Sequence, residues 1–408
     1  MEQISQLNHM KKLSKLSADI LVVGAGPGGS TAAFGLSKAG YDVLLVDKAS
    51  FPRDKTCGDA ISPLAVQHLA NMGILPDIIN AGARVIRSAS ISGTRGIKVQ
   101  AEFHSFLNSD NPHGLAMPRY EFDQLLLSAA VKMGTRFQPG ITVRDISRQG
   151  DEIIKIEAAS KDASIEIQAK YYIIAVGANI GLLRNNGFLD AKIALAKATR
   201  GYYQIEPHPS LGYDFFYKKE LFPGYGWVFP VKEDQVNIGV GTGGKKNLPS
   251  QALPDFVEYL SCQNIIVNPR LIGQIKSYPL RIDFPSQQIS GENWLLVGES
   301  AGLVNPLTGE GIDLAIESGT IAAQEVINRF GQAGMAEMYR SRVTSRFDNM
   351  FASMNLIRKT MINSITFEPI LKLMDNNQQL LHTFLEVTMG LKPGKELLKS
   401  KILFGWPR

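Results

Sequence analysis

The stretch Asp19-Ile20-Leu21-Val22-Val23-Gly24-Ala25-Gly26-Pro27-Gly28-Gly29 decides the fold. Its first five residues read as a short buried strand, and the Gly24-x-Gly26-x-x-Gly29 spacing marks a tight turn into a helix. That helix is expected from Gly28 to Lys38, stopped by Gly40. A second strand, Val43 to Val46, then ends in Asp47. A β-α-β unit of roughly thirty residues belongs to a parallel, doubly wound α/β sheet. Gly24 permits the turn, Gly26 lets backbone approach a pyrophosphate, and Gly29 lets the helix pack on the strand. The helix N-terminus offers free N–H groups and a partial positive charge to phosphates. Asp47 is placed to bind both hydroxyls of an adenosine ribose, which favours a dinucleotide without a 2′-phosphate, such as FAD or NAD.

Working outward, residues 1–17 are polar and read as a loose extension. Residues 84–103 alternate in strand fashion around Ser92-Gly93, as in a hairpin. Pro118 to Met133 is an amphipathic helix with Phe122, Leu125, Leu126 and Ala129 on its apolar side. Strands follow through Ile167, then a buried strand from Tyr171 to Val176. From Leu195 to Arg281 long alternating strands predict a second, mostly antiparallel sheet. A buried strand at Trp294–Val297, a glycine-rich turn and a helix from Gly311 to Phe330 return to the first domain, and residues 334–390 read as helical.

The chain of 408 residues is 44% hydrophobic and 20% charged, which excludes a disordered or collagen-like protein. Its most apolar run, Tyr171 to Leu183, falls short of the ~18 residues of a membrane span and carries Asn179. The basic segment Lys11–Lys15 leads into Asp19 and the glycine cluster and lacks the apolar core of a secretory signal. Two cysteines, Cys57 and Cys262, make no disulfide framework, and the six histidines show no pair at ligand spacing, so no metal site is expected. No Gly-x-Ser-x-Gly elbow occurs. The reading is a cytoplasmic protein under reducing conditions. Of the net charge of +5, most lies in residues 391–408, where Lys392, Lys395, Lys399, Lys401 and Arg408 oppose Glu396 alone. A solvated terminal helix is the simpler reading, and a peripheral membrane contact is the other, because Leu397, Leu398, Ile402, Leu403, Phe404 and Trp406 interleave with the charges. Nucleic-acid binding is not expected, since no basic stripe is joined to stacking aromatics.

A second glycine-rich stretch, Gly298-Glu299-Ser300-Ala301-Gly302 through Asn305-Pro306-Leu307-Thr308-Gly309-Glu310-Gly311-Ile312, brings another helix N-terminus close to a ligand. Here the sequence resembles the p-hydroxybenzoate hydroxylase-like flavoproteins, and specifically their geranylgeranyl reductase branch. The resemblance implies FAD as cofactor, with Glu299 on the ribityl chain and Pro306, Gly309, Gly311 and Ile312 beside the flavin ring. Phe51 to Ser62 looks like the family's Cys-Gly loop along the cofactor, which carries Cys57, Gly58 and Ala60. Arg119-Tyr-Glu-Phe-Asp123 matches the helix start whose arginine meets the cofactor, and Val143 matches a position whose backbone touches adenine. Tyr225-Gly-Trp-Val-Phe-Pro230 fits the reductase signature, where halogenase relatives carry tryptophan at position 225. The implied layout is a Rossmann-like FAD-binding domain (18–80, 116–180, 291–330), an inserted, mostly antiparallel substrate domain (81–115, 181–290), and a C-terminal helical region (331–408).

Two departures stand out. Val176 replaces an acid of the family pattern, and Glu299 replaces an aspartate. Tyr225, Trp227 and Phe229 share one face of a strand, and residues 201–230 hold ten of the chain's 34 aromatics. Part of these rings must be core, while Trp227 and Tyr225 are expected to wall a cavity for an apolar or lipid substrate. Cys57 is either an inert small residue or an active-site thiol, raised in interest by Arg53 and Lys55. Asp313 and Glu317 share a helix face and read as a solvated pair. The leading function is an FAD-dependent reductase of isoprenoid double bonds, with NAD(P)H or another reductant as electron donor. The alternatives are a flavin monooxygenase on an aromatic or polyketide-like substrate and a non-catalytic flavin- or lipid-binding relative.

Overall fold

The structure is a computed structural model that describes residues 12–189, 193–208, 211–243 and 251–399. Its first sheet runs in the order Ser290–Gly291, Trp294–Leu296, Ala163–Ile174, Lys12–Val23, Val43–Asp47, Arg136–Pro139. All neighbours but the first pair are parallel. The hairpin Thr142–Gln149 and Glu152–Ala159 adds antiparallel strands beside Ala163–Ile174. The expected β-α-β unit is present, with its helix at Pro27–Lys38.

The first strand begins at Lys12, so residues 12–17 are not the loose extension the sequence predicts. They pair with Ala163–Gln168 in register, and Lys15 meets Glu166. A long partner strand supplies the backbone hydrogen bonds here, and a ladder of that kind leaves no apolar alternation to read.

The second sheet has seven strands in the order Arg270–Arg281, Leu195–Gln204, Gln235–Gly243, Gly226–Pro230, Tyr213–Phe216, Ser88–Ser92, Lys98–Glu102. It is antiparallel except where Tyr213–Phe216 runs parallel to Ser88–Ser92. Alternation sorts its faces: Phe216, Val228 and Val240 pack beneath Leu253, Phe256 and Leu260 of the helix Ala252–Cys262, while Trp227 and Phe229 face the opposite way. The sequence reading had no helix there. A small third sheet joins Ala60–Ile61, Gly114–Ala116 and Arg84–Ile86, and the Tyr213 hydroxyl of the second sheet donates to its Ile61 and Leu115 carbonyls.

The helical region comprises Met335–Thr360, Phe367–Asp375, Gln378–Thr388 and Lys395–Lys399. Its first helix lies against Ile312–Arg329, and Tyr339 donates to the Leu296 carbonyl at 2.7 Å. Asp313 and Glu317 are therefore not a solvated pair. Asp313 is buried, and Glu317 is ion-paired to Arg346 at 2.6 Å, because helices Pro63–Met72 and Met335–Thr360 cover that flank. No helix among the described residues is long and apolar enough to cross a membrane. The basic tail beyond residue 399 lies outside the described residues.

Candidate functional site

Four parallel strands end side by side: Val23 pairs with Val46 and Ile174, and Ile174 with Leu296. Gly24, Asp47, Ala175 and Val297 therefore all emerge at the carboxyl edge of one sheet, where α/β sheets of this kind bind ligands. A cavity of about 480 Å³ opens there, between the sheet edge and the aromatic face of the second sheet.

Each glycine of the first turn has a distinct geometry. Gly24 has φ +102°, and a Cβ on it would lie 2.4 Å from the Ala175 carbonyl oxygen. A Cβ on Gly29 would lie 1.9 Å from the Gly24 oxygen, so Gly29 packs the turn and does not reach the cavity wall. Gly26 is different: a Cβ there would approach nothing nearer than the Arg53 guanidinium at 3.6 Å. The space above Gly26, at a helix N-terminus and beside a cation, is what a pyrophosphate requires. Asp47 is oriented by the Ala25 and Ala49 amides, each donating at 2.8 Å to a different carboxylate oxygen, and it lines the cavity with Val143. These residues fit FAD.

The second turn closes the other end. Glu299 accepts from the Arg281 amide at 3.2 Å and has Lys55 Nζ at 3.9 Å. Burial lowers the pKa of Lys55, and Glu299 partly restores it. Arg281 donates to the Ser300 carbonyl at 2.6 Å and is itself paired to Asp283. Pro306, Gly309, Gly311 and Ile312 line the cavity, as does Val176. Asn305 Oδ1 accepts from the Leu307 and Thr308 amides, and the Tyr225 hydroxyl donates to the Thr308 carbonyl, tying the aromatic wall to the turn.

The Cys-Gly loop runs between these walls. Cys57, Gly58 and Ala60 line the cavity, and a Cβ on Gly58 would lie 3.1 Å from the Phe229 ring and 3.3 Å from the Trp227 indole nitrogen. Arg119 is clamped to Asp123 by two hydrogen bonds of 2.6 and 2.7 Å, and Arg53 joins the same carboxylate at 2.9 Å. Burial works against the Arg119 charge, but the Asp123 carboxylate outweighs it and holds the guanidinium protonated. Tyr225, Trp227 and Phe229 share the cavity wall, with Phe215 edge-on to Tyr225 at 5.3 Å between ring centroids.

Asp59 and Asn237 escaped the sequence reading. Asp59 is fully buried at φ +66°, and its Oδ2 accepts from Tyr202 at 2.5 Å and Asn237 at 2.8 Å. Burial pushes its pKa up to about 6, against those two hydrogen bonds. Asn237 also donates to the Cys57 carbonyl at 2.8 Å and accepts from the Trp227 indole at 3.0 Å. One amide thus fixes the cysteine loop to the aromatic wall. An asparagine inside the apolar strand Val236-Asn237-Ile238 was the available signal. Among the described residues, no group of three His, Cys, Asp or Glu side chains can hold a metal ion.

Residues 17–185 match the family described as FAD binding domain. The chain is 32% identical over 351 residues to a menaquinone reductase of Mycobacterium tuberculosis, covering 82% of each chain. It is 28% identical over 344 residues to digeranylgeranylglycerophospholipid reductase 1 of Methanopyrus kandleri, covering 82% of this chain and 86% of the relative. A geranylgeranyl bacteriochlorophyll reductase-like protein from Thermoplasma acidophilum shares the fold, with a TM-score of 0.80 at 22% identity over 95% of this chain and 99% of that one. With two glycine turns, a Cys-Gly loop and an aromatic wall around one cavity, the chain belongs to the geranylgeranyl reductase family of FAD-dependent oxidoreductases.

Proposed function

We propose that the protein reduces carbon–carbon double bonds of an isoprenoid chain held against Tyr225, Trp227 and Phe229. The observation that carries this reading is the shared cavity: the three rings line the same space as both glycine turns. An isolated alkene has no carbonyl to spread developing charge, so its reduction needs a hydride, a proton and a dry site. Reduced FAD supplies the hydride when bound. The ring faces exclude water and stabilise partial positive charge on the alkene. Asn237 holds Trp227 and the Cys57 loop in one position, and Cys57 borders the reacting region beside Arg119. In this reading Gly24, Gly26, Asp47, Arg119, Val143, Glu299, Pro306, Gly309, Gly311 and Ile312 contact the cofactor, which their places on the cavity wall support; Gly29 packs the turn beneath them.

The electron donor in this reading is NAD(P)H or another cellular reductant, and the substrate is drawn from a lipid surface. Exposed Leu356, Ile365, Leu373 and Leu391, all on the helical region, support a peripheral membrane contact. The test uses FAD-loaded, chemically reduced protein with a geranylgeranyl lipid or a prenylated quinone. The product gains two hydrogens per bond by mass spectrometry. Intact prenyl substrates, together with oxygen-dependent hydroxylation of an aromatic compound, would overturn the assignment.

A further inference from the structure

The turn between the two cavity-lining glycines Gly309 and Gly311 carries an acid, Glu310, with no part in the cofactor contacts above. Its backbone is fixed at both ends, since its carbonyl accepts from the Asn305 amide at 2.7 Å and its amide donates to Thr308 Oγ1 at 3.3 Å. The same Thr308 hydroxyl donates to Glu310 Oε2 at 3.3 Å. Glu310 lines the main cavity and also a second, smaller one of about 50 Å³ behind the aromatic wall. The two cavities share Phe215, Tyr225, Leu307, Thr308 and Glu310, so the acid stands in the partition between them.

The surroundings of this carboxyl are apolar. Tyr213 and Tyr225 face it from the second sheet, Pro63 and Leu307 lie alongside, and Phe384, Leu385 and Thr388 of the C-terminal region close the far side. Its titratable neighbours among the described residues are Asp313, Tyr213 and Tyr225, and no cation is among them. We propose that Glu310 is the proton donor of the reduction, resting on the reductase reading above. At one alkene carbon the π pair takes the proton of the Glu310 carboxyl, and the other carbon accepts the hydride that reduced FAD supplies. Glu310 is left as carboxylate, the alkene gains two electrons, and the flavin gives up two.

The protonation state agrees with this role. Burial first, and the nearby Asp313 carboxyl second, push the Glu310 pKa up to about 8, so the acid keeps its proton near neutrality. Asp313 is raised by burial too. Asp313 and Glu317 lie one helical turn apart, and Glu317 is held by Arg346 at 2.6 Å with His68 at 3.8 Å.

The experiment compares wild-type, Glu310→Gln, Glu310→Asp and Cys57→Ala proteins, all full length. The first readout needs no turnover. Infrared titration of the flavin-free chain shows a carboxylic-acid carbonyl band that disappears as pH rises through about 8, and Glu310→Gln removes the band while Cys57→Ala keeps it. The second is single-turnover oxidation of the reduced, FAD-loaded enzyme by a geranylgeranyl lipid. Its wild-type rate falls above the same pH. Glu310→Gln lowers the rate by about 100-fold or more, in the range of a lost general acid, and abolishes the pH limb; Glu310→Asp restores part of both. An unchanged rate and limb in Glu310→Gln, or a band unaffected by the substitution, overturns the proposal. A wild-type enzyme that reduces no prenyl lipid while showing the band overturns the reductase reading instead.

Discussion

Gly28 and Gly319 face one another where the helix Pro27–Lys38 crosses the helix Ile312–Arg329: a Cβ on Gly319 would stand 2.4 Å from the Gly28 carbonyl oxygen. The two helices that carry the two glycine turns at their N-termini are therefore in backbone contact. Their spacing sets the distance between the pyrophosphate end and the flavin end of the cavity. A methyl group inserted at this crossing acts on both turns at once.

Gly319→Ala is expected to cost about 1–3 kcal/mol, the range for overpacking a tight interface, and to lower FAD content together with melting temperature. Gly35→Ala provides the comparison, because its Cβ would meet only the Ala323 methyl, at 3.0 Å, in the same interface. The larger drop belongs to Gly319→Ala. Equal effects in flavin stoichiometry and thermal melting would show that the crossing does not set the cavity.

Gly26 and Gly24 should separate binding from folding. Gly26→Val meets only the Arg53 guanidinium, at ordinary contact distance, so apo-protein stability stays within about 0.5 kcal/mol of wild type while the yellow colour of bound FAD is lost. Gly24→Ala strains a φ of +102° and drives a methyl against the Ala175 carbonyl, so it destabilises the chain itself. Denaturant melts of the flavin-free proteins, followed by FAD titration, distinguish the two.

Local signals made the first turn legible. Gly24, Gly26, Gly29 and Asp47 lie within one β-α-β unit, where spacing and chemistry are set by neighbours in the chain. The aromatic wall was legible through alternation in a single strand. The Asp59–Asn237 link was not, because it joins residues 178 positions apart and no local period encodes it. The same holds for Asp313, whose helix face looks solvated until Met335–Thr360 and Pro63–Met72 cover its flank. Lys12–Ser17 owes its strand conformation to a partner some 150 residues later.

Asp59 gives the fold a pH signature. Its pKa is raised to about 6 by burial, above the ~3.9 of an unfolded aspartate, so the folded state holds the proton more tightly. Its contribution to stability is fully present below about pH 4 and is lost as pH rises through about 6. Asp59→Asn removes this dependence, and asparagine tolerates the positive φ. The stability difference between wild type and variant, measured by urea unfolding of the apo-protein, should shift in favour of the variant between about pH 4 and pH 7. A constant difference across that range would mean the carboxylate is not desolvated.

Trp227 tests whether the wall serves substrate or cofactor. Its indole donates to Asn237 at 3.0 Å, its ring stacks on Phe229 at 6.3 Å, and a Cβ on Gly239 would lie 2.0 Å from it, so the ring is held on three sides. Truncation to alanine removes a buried ring at about 3–5 kcal/mol and would confuse folding with function. Trp227→Phe keeps most of the bulk and gives up the indole donor, which leaves Asn237 Oδ1 without its partner while Asn237 Nδ2 keeps the Cys57 carbonyl and Asp59. FAD stoichiometry should be unchanged, since the pyrophosphate and ribose ends rest on Gly26 and Asp47. Prenyl-lipid turnover should fall by at least tenfold, with the substrate KM rising. If FAD is lost in step with turnover, the ring supports the cofactor and the substrate must lie elsewhere in the cavity.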